Sequence, residues 1–251
     1  AESAGLPTAR HPDHRPIPGP RMSASDSSLS AERLRDLLTA LSEALGERGQ
    51  RAVLFVVGGA AMALAYDGQR ATRDIDAVFQ PAPLVRELAA RIGRETGLED
   101  DWLNDAAKGF LPGDDASPRT VLDTEHLLVQ VASPEYLLAM KIHSGRDERD
   151  INDAVRLYNI VGYTGADQLI DLLERTYPPR LLLPRHQYIA YDVAERAAAA
   201  AQHAGVERTR DIHRMAMPAR PTSAASPSSE APAPQSPPRS HDQHHRPGRA
   251  L

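Results

Sequence analysis

Cysteine is missing from all 251 positions. Disulfides, thiolate metal sites and cysteine nucleophiles are thereby excluded, which fits a reducing compartment. A basic surplus is missing too: 29 Lys and Arg stand against 34 Asp and Glu, a formal net charge of −5. With no global positive field, any contact with nucleic acid has to be local. No apolar run approaches the roughly 20 residues that span a bilayer, and the first residues lack the apolar core of a signal peptide. The expectation is a cytoplasmic protein with no membrane partner. No internal repeat is found.

Proline, by contrast, is plentiful at 21 residues, and hydrophobic residues make up only 41%. Both deviations come mostly from the ends. Residues 1–28 and 216–251 are rich in Pro, Ser, Arg and His. They cannot bury enough apolar surface to offset their ordering entropy, so both are expected to be disordered. Met22 is a candidate start of translation, and the histidines His241, His244 and His245 read as part of a solvated tail. What remains is one folded body, with a core over 29–132 and a helical part over 133–215. Its expected class is α+β: a small mixed β-sheet with flanking helices, α/β-like at its N-terminal end, followed by helices.

The pattern predicts a helix from Ser30 to about Gly46, with Leu34, Leu37, Leu38, Leu41 and Leu45 on one face. Ala52–Val57, a continuous apolar run, is expected to be a buried strand. A short helix over Gly59–Tyr66, a strand over Thr72–Phe79 and a helix over Pro83–Thr96 follow. Asp100–Ala107 reads as a helical turn, with Trp102 and Leu103 as a packing anchor. Strands are expected at Thr120–Leu122 and Leu127–Ala132. Ser133-Pro134-Glu135 is a helix start, and that helix reaches about Ser144. Further helices are expected over Asp147–Val161, over Ala166–Thr176 with Thr164 as cap, and over about Pro184–Gln202.

The stretch VVGGAAMALAYDGQRATRDIDAVF, Val56 to Phe79, concentrates the chemistry. A strand, then Gly58-Gly59, then a helix places unpartnered first-turn N–H groups where a phosphate binds well, and glycine lets a ligand approach the backbone. If Thr72–Phe79 is a strand, Arg70, Thr72, Asp74 and Asp76 share one face. Asp74 and Asp76 then project together, roughly 6–7 Å apart along the strand. Two carboxylates that close make sense around a cation, and hard oxygen ligands favour Mg²⁺. A triphosphate at the glycine turn would add oxygens to the same ions, as in two-metal phosphoryl transfer. Taken singly, Gly-Gly also reads as a tight turn, and Asp-x-Asp as a solvated strand end paired with Arg70 and Arg73.

A second group lies between Lys141 and Asp153. Lys141, on a largely apolar helix, either snorkels to solvent or points at a phosphate. Asp150 and Asp153 share a helix face, and the helix dipole alone favours acids there. Arg146 and Arg149 are either solvated or in contact with nucleic-acid backbone. His143 reads as structural rather than as a general base.

Val56 to Phe79 resembles the opening motif of the DNA polymerase β-type nucleotidyltransferase fold. The likeness is to the bacterial branch related to AbiEii-type toxins and to neighbouring nucleotidyltransferase-like families. DDWLNDAAKGF and SPEYLLAMKIHSGRDERDINDAVRLYNIVG extend the resemblance, which covers about Leu54 to Leu183. It implies a Mg²⁺-dependent transfer of a nucleoside monophosphate from an NTP to a hydroxyl of tRNA or a protein, in a toxin–antitoxin or phage-defence setting with a cognate antitoxin or toxin as partner. Asp74 and Asp76 would hold the metal. Gly58 and Gly59 with Arg70 or Thr72 would cradle the triphosphate, and Lys141 would steady it. Asp150 would orient Lys141 or take the acceptor proton. The family's third carboxylate is expected in LLVQVA, where Gln130 stands, with Asp123 as a substitute. The alternative is a catalytically degenerate nucleotide-binding or antitoxin-like module.

Overall fold

The computed structural model describes residues 28–145 and 147–216. The disorder expected at both ends, Met22, the histidine-bearing tail and Arg146 thus fall outside the described residues, save for Ser28 and Ala216. By its contacts the chain divides into residues 1–205 and 206–251. The first unit holds every strand, and the described part of the second is the end of a helix.

Helix α1 (Ala31–Glu47) begins where the Ser30 hydroxyl accepts the Arg33 N–H at 3.2 Å, satisfying a first-turn donor that has no partner within the helix. Leu34, Leu37, Leu38, Leu41 and Leu45 are all buried, each contributing roughly 1.5–3 kcal/mol over an exposed position. Strand β1 (Ala52–Val56) runs antiparallel to β2 (Ile75–Gln80) and parallel to β5 (Leu127–Val131). The two-residue β3 (Leu103–Asn104) pairs with β2, and β4 (Arg119–Asp123) pairs with β5. The order is β3-β2-β1-β5-β4, a mixed five-stranded sheet in an α+β fold. Register sets Leu54 beside Phe79 and Val129, and Val56 beside Ala77 and Val131, all buried. Helix α1 touches β5, and α3 (Ala82–Thr96) touches both β2 and α1, so these two helices cover that face.

The opposite face is only half covered. Val53 is 42% exposed, and Phe55, Val78, Leu128 and Gln130 are partly so. The reading of Ala52–Val57 as a buried strand is corrected for this face, because an unbroken apolar run does not say whether the second face is covered. Strand β2 also starts later than expected, at Ile75. Thr72 pairs instead with Leu29, through Leu29 N to Thr72 O at 2.7 Å and Thr72 N to Leu29 O at 3.0 Å, and the chain bends at Arg73 and Asp74.

The helical turn expected over 100–107 is replaced by β3 and a 3₁₀ turn at Ala106–Phe110. Trp102 explains the difference: its side chain is 1% exposed and its indole N–H donates to Ala89 O at 2.8 Å. Its carbonyl accepts Ile75 N–H at 2.6 Å. The packing anchor thus fixes the segment against the edge of β2.

After β5, Ser133 caps α4 (Pro134–Ser144) and Gly145 closes it in the left-handed region. Asp147 caps α5 (Glu148–Val161) through the Asp150 N–H at 2.9 Å. Helix α6 (Ala166–Thr176) has Gly165, not Thr164, at its N-cap. The Gln168 side chain accepts the N–H groups of Thr164 and Gly165 at 2.7 and 3.2 Å. Helix α7 (Pro184–Ala216) outruns the expected end at Gln202. Helix α4 packs against α5 and α6. Among the described residues no helix is long and apolar enough to cross a membrane.

Two measurements check this packing. Trp102→Ala should lower the unfolding free energy by about 3–5 kcal/mol in urea titrations; a loss near zero would mean that the segment is not pinned. Tyr66 and Tyr136 donate to the carbonyls of Ala132 and Gly113, both at 2.7 Å, and burial pushes both phenols up to about 12. A folded pKa above the unfolded value near 10 gives stability that is complete below about pH 10 and lost as pH rises towards 12. Stability measured across that window should fall, and the fall should flatten in Tyr66→Phe/Tyr136→Phe.

Candidate active site

The corner between β1 and the short helix α2 (Gly58–Ala61) is the tightest part of the site. Gly58 has φ +65, a conformation that costs an L-residue energy but not glycine. A Cβ at Gly58 would also lie 3.1 Å from Asp76 Oδ2. A Cβ at Gly59 would lie 2.8 Å from Thr72 Oγ1 and 3.7 Å from Arg70 Nη2. The corner therefore touches Asp76, Thr72 and Arg70, three of the residues singled out in the sequence. Past it the helix widens into a π turn at Met62–Tyr66, and Arg70 follows.

Asp76 lies within β2, half-buried between the buried Ile75 and Ala77. Its register partner in β3 is Asn104, so the two share a face of the sheet. Asn104 Nδ2 in turn donates to Asp74 Oδ2 at 3.1 Å. Asp74 precedes the strand, so strand alternation does not place it; the Asn104 amide holds it, from the residue that pairs with Asp76. The same correction applies to Arg70 and Thr72, which reach the site from a bent loop closed by the Leu29–Thr72 bridge. Asn104 escaped the sequence reading because its segment was taken for a helical turn.

Gln130 stands beside Phe55 and Thr120 on the half-covered face. That face of β5 carries Leu128 and Gln130, and no acid. Asp123 does not substitute. It lies at the other end of the sheet, opposite Leu128, and Arg51, just before β1, holds its carboxylate at 3.0 Å.

Among the described residues no three His, Cys, Asp or Glu side chains gather into a metal site. The acids nearest the corner are Asp76, against Gly58, and Asp74, bonded to Asn104. Mg²⁺ is commonly held by one or two carboxylates together with substrate phosphates, and a carboxylate pair beside a glycine cradle fits that donor set.

The second group closes into one buried network. Lys141 Nζ lies 2.6 Å from Asp150 Oδ1 and 2.9 Å from Asp153 Oδ2. Asp153 in turn accepts from Arg70, Nε to Oδ1 at 3.1 Å and Nη2 to Oδ2 at 3.2 Å. Arg70 Nη1 also donates to its neighbour's carbonyl, Ala71 O, at 2.5 Å. Lys141 is 8% exposed and Asp153 5%, so Lys141 does not snorkel to solvent. Asp153 is far more than an acid favoured by a helix dipole: it joins α5 to α4 and to the loop that flanks the glycine corner. It also takes Arg70 away from the pairing with the Asp-x-Asp acids that the sequence left open. His143 lies apart, stacked on Tyr177 at 4.0 Å and bonded to Leu181 O at 3.2 Å, in keeping with a structural role.

The glycine corner thus lies at the end of β1 in a mixed sheet, against Asp76 of β2. A family model described as "Nucleotidyltransferase of unknown function (DUF6036)" matches residues 32–177, more than half of the chain, and the chain belongs to that family. The match spans the corner, both acids and the whole ion network. Among solved structures, an antigenic nucleotidyltransferase-like protein from Paracoccidioides brasiliensis is 18% identical, covering 59% of this chain and 88% of its own, with a TM-score of 0.36. No curated protein matches the chain.

Asp153→Asn should leave two buried cations against one carboxylate and cost about 3–5 kcal/mol of stability, read from urea unfolding. A loss under about 1 kcal/mol, the range of a solvated pair, would contradict a buried network.

Proposed function

We propose that the chain transfers a nucleoside monophosphate from an NTP to a hydroxyl acceptor in a Mg²⁺-dependent reaction. The close approach of Gly58 and Gly59 to Asp76, Thr72 and Arg70 carries this reading, together with membership of a nucleotidyltransferase family. Gly58 and Gly59 let phosphate oxygens come against the backbone, where a side chain would collide. The Thr72 hydroxyl and the remaining N–H groups of Arg70 supply donors beside them. Asp74 and Asp76 would hold Mg²⁺, with Asn104 fixing the orientation of Asp74. When bound, that ion neutralises phosphate oxygens and polarises the phosphorus. Lys141 steadies the phosphates, and Asp150 orients Lys141 through their 2.6 Å contact. In the balanced reaction the acceptor oxygen bonds the α-phosphorus, the bond from that phosphorus to the bridging oxygen breaks, and pyrophosphate leaves. The hydroxyl proton passes to a carboxylate of the site, with Asp150 as the candidate.

Resemblance in the opening motif and in the Lys141–Asp150 spacing supports the finer reading. On it, the acceptor is tRNA or a protein side chain, and the chain works beside a toxin or antitoxin partner as a relative of AbiEii-type proteins. A second reading, a nucleotide-binding module without turnover, is favoured by one observation. Gln130 stands where a third carboxylate is expected, and among the described residues no third acid joins Asp74 and Asp76.

The test is incubation with each labelled NTP, Mg²⁺ and total RNA or protein. Label transfer should fall about a hundredfold or more in Asp74→Ala/Asp76→Ala. Tight NTP binding without transfer supports the module instead. Neither binding nor transfer would overturn both.

A further inference from the structure

Arg70 and Lys141, the cations aimed at phosphate, are already balanced. They face Asp153 and Asp150 in a network whose four formal charges sum to zero. Beyond what a bound Mg²⁺ would supply, a triphosphate tail has to draw positive charge from other side chains. Most arginines have none to spare, being ion-paired from Arg48 with Glu87 to Arg196 with Glu148. Arg73 and Arg149 differ: both are exposed, and among the described residues neither has an acidic or hydrogen-bonding partner. Both line a cavity of about 590 Å³, together with Arg70, Thr72 and Gln69. Asp67, the one acid in its wall, is occupied by Arg156 at 3.3 Å and by the Gln69 N–H at 3.2 Å. Arg70 and Thr72 are also the side chains against Gly59. The cavity thus shares Arg70 and Thr72 with the glycine corner and sets two uncompensated guanidinium groups beside them.

We infer that Arg73 and Arg149 bind the β- and γ-phosphates of the donor nucleotide and select a triphosphate over a monophosphate. The inference rests on the transferase reading and adds two residues to it. Guanidinium groups suit this task, because they stay charged and match phosphate oxygens with paired donors. They also divide the labour. The buried network positions the site at no net charge, and the two exposed arginines meet the charge that arrives with substrate. An RNA phosphodiester could use the same two groups. The observations favour the nucleotide tail, because the cavity shares Arg70 and Thr72 with the glycine corner and a chain of net charge −5 offers no general basic field for a strand.

The experiment is calorimetric titration of the full chain with ATP, GTP, CTP and UTP and with their monophosphates, all with Mg²⁺. Wild type, Arg73→Gln/Arg149→Gln and Arg73→Lys/Arg149→Lys are compared. The Gln pair should lose about 10–100-fold in triphosphate affinity, with monophosphate affinity unchanged within about threefold, and the Lys pair should recover part of the loss. An unchanged triphosphate-to-monophosphate ratio in the Gln pair overturns the inference while leaving the transferase reading intact. So does loss of binding to a short single-stranded RNA with that ratio preserved, which would assign the arginines to the acceptor. Wild type that binds neither nucleotide form sinks the transferase reading and the inference with it.

Discussion

The structure depends on a corner with no room for a side chain. At Gly58 two demands coincide: a backbone angle in the left-handed region and a carboxylate oxygen about one atom's contact away. Gly59 repeats the second demand against Thr72. Each glycine alone is compatible with an ordinary turn. Together, they hold Asp76, Thr72 and Arg70 against bare backbone, the close approach on which the proposed phosphate site rests. Around the corner the rest of the fold acts as support. Strand β1 delivers Gly58, β2 delivers Asp76, and helices α1 and α3 bury the far face of the sheet so that both strands stay fixed.

The buried ion network ties the helical part to this corner. Lys141 comes from α4, Asp150 and Asp153 from α5, and Arg70 from the loop beside the glycines. Buried charges of this kind contribute little net stability unless every member is paired. Pairing is what the network provides, and its geometry would be lost if the helices shifted. Its formal neutrality has a functional consequence. The cations that look most like phosphate ligands in the sequence serve first to position the site, and the uncompensated charge lies on exposed arginines at the cavity wall.

Much of this was readable in the sequence, and the gaps have physical reasons. The leucine face of α1 and the caps Ser30 and Ser133 were plain, because each is fixed by short-range chemistry. Gly58-Gly59 and Asp74-x-Asp76 were found because their order along the chain is itself demanding. Asn104 was missed, because its strand exists only through the burial of Trp102, a tertiary event that local pattern does not report. Asp153 was undervalued, because a helix periodicity cannot say which of two acids faces a lysine on another helix and an arginine from a distant loop. Arg73 and Arg149 read in the sequence only as ion-paired, solvated or backbone-binding, since their shared place at one cavity wall exists only in three dimensions.

The central claim is that the glycine corner and the two aspartates together grip a metal–nucleotide complex. The most direct measurement is a crystal structure of the chain with Mn²⁺ and an NTP analogue whose α–β bridge cannot be cleaved. The account predicts an anomalous peak bonded to the carboxylates of Asp74 and Asp76, with phosphate oxygens against the backbone of Gly58 and Gly59. A nucleotide seated away from that corner, or a metal bonded to neither aspartate, would contradict it.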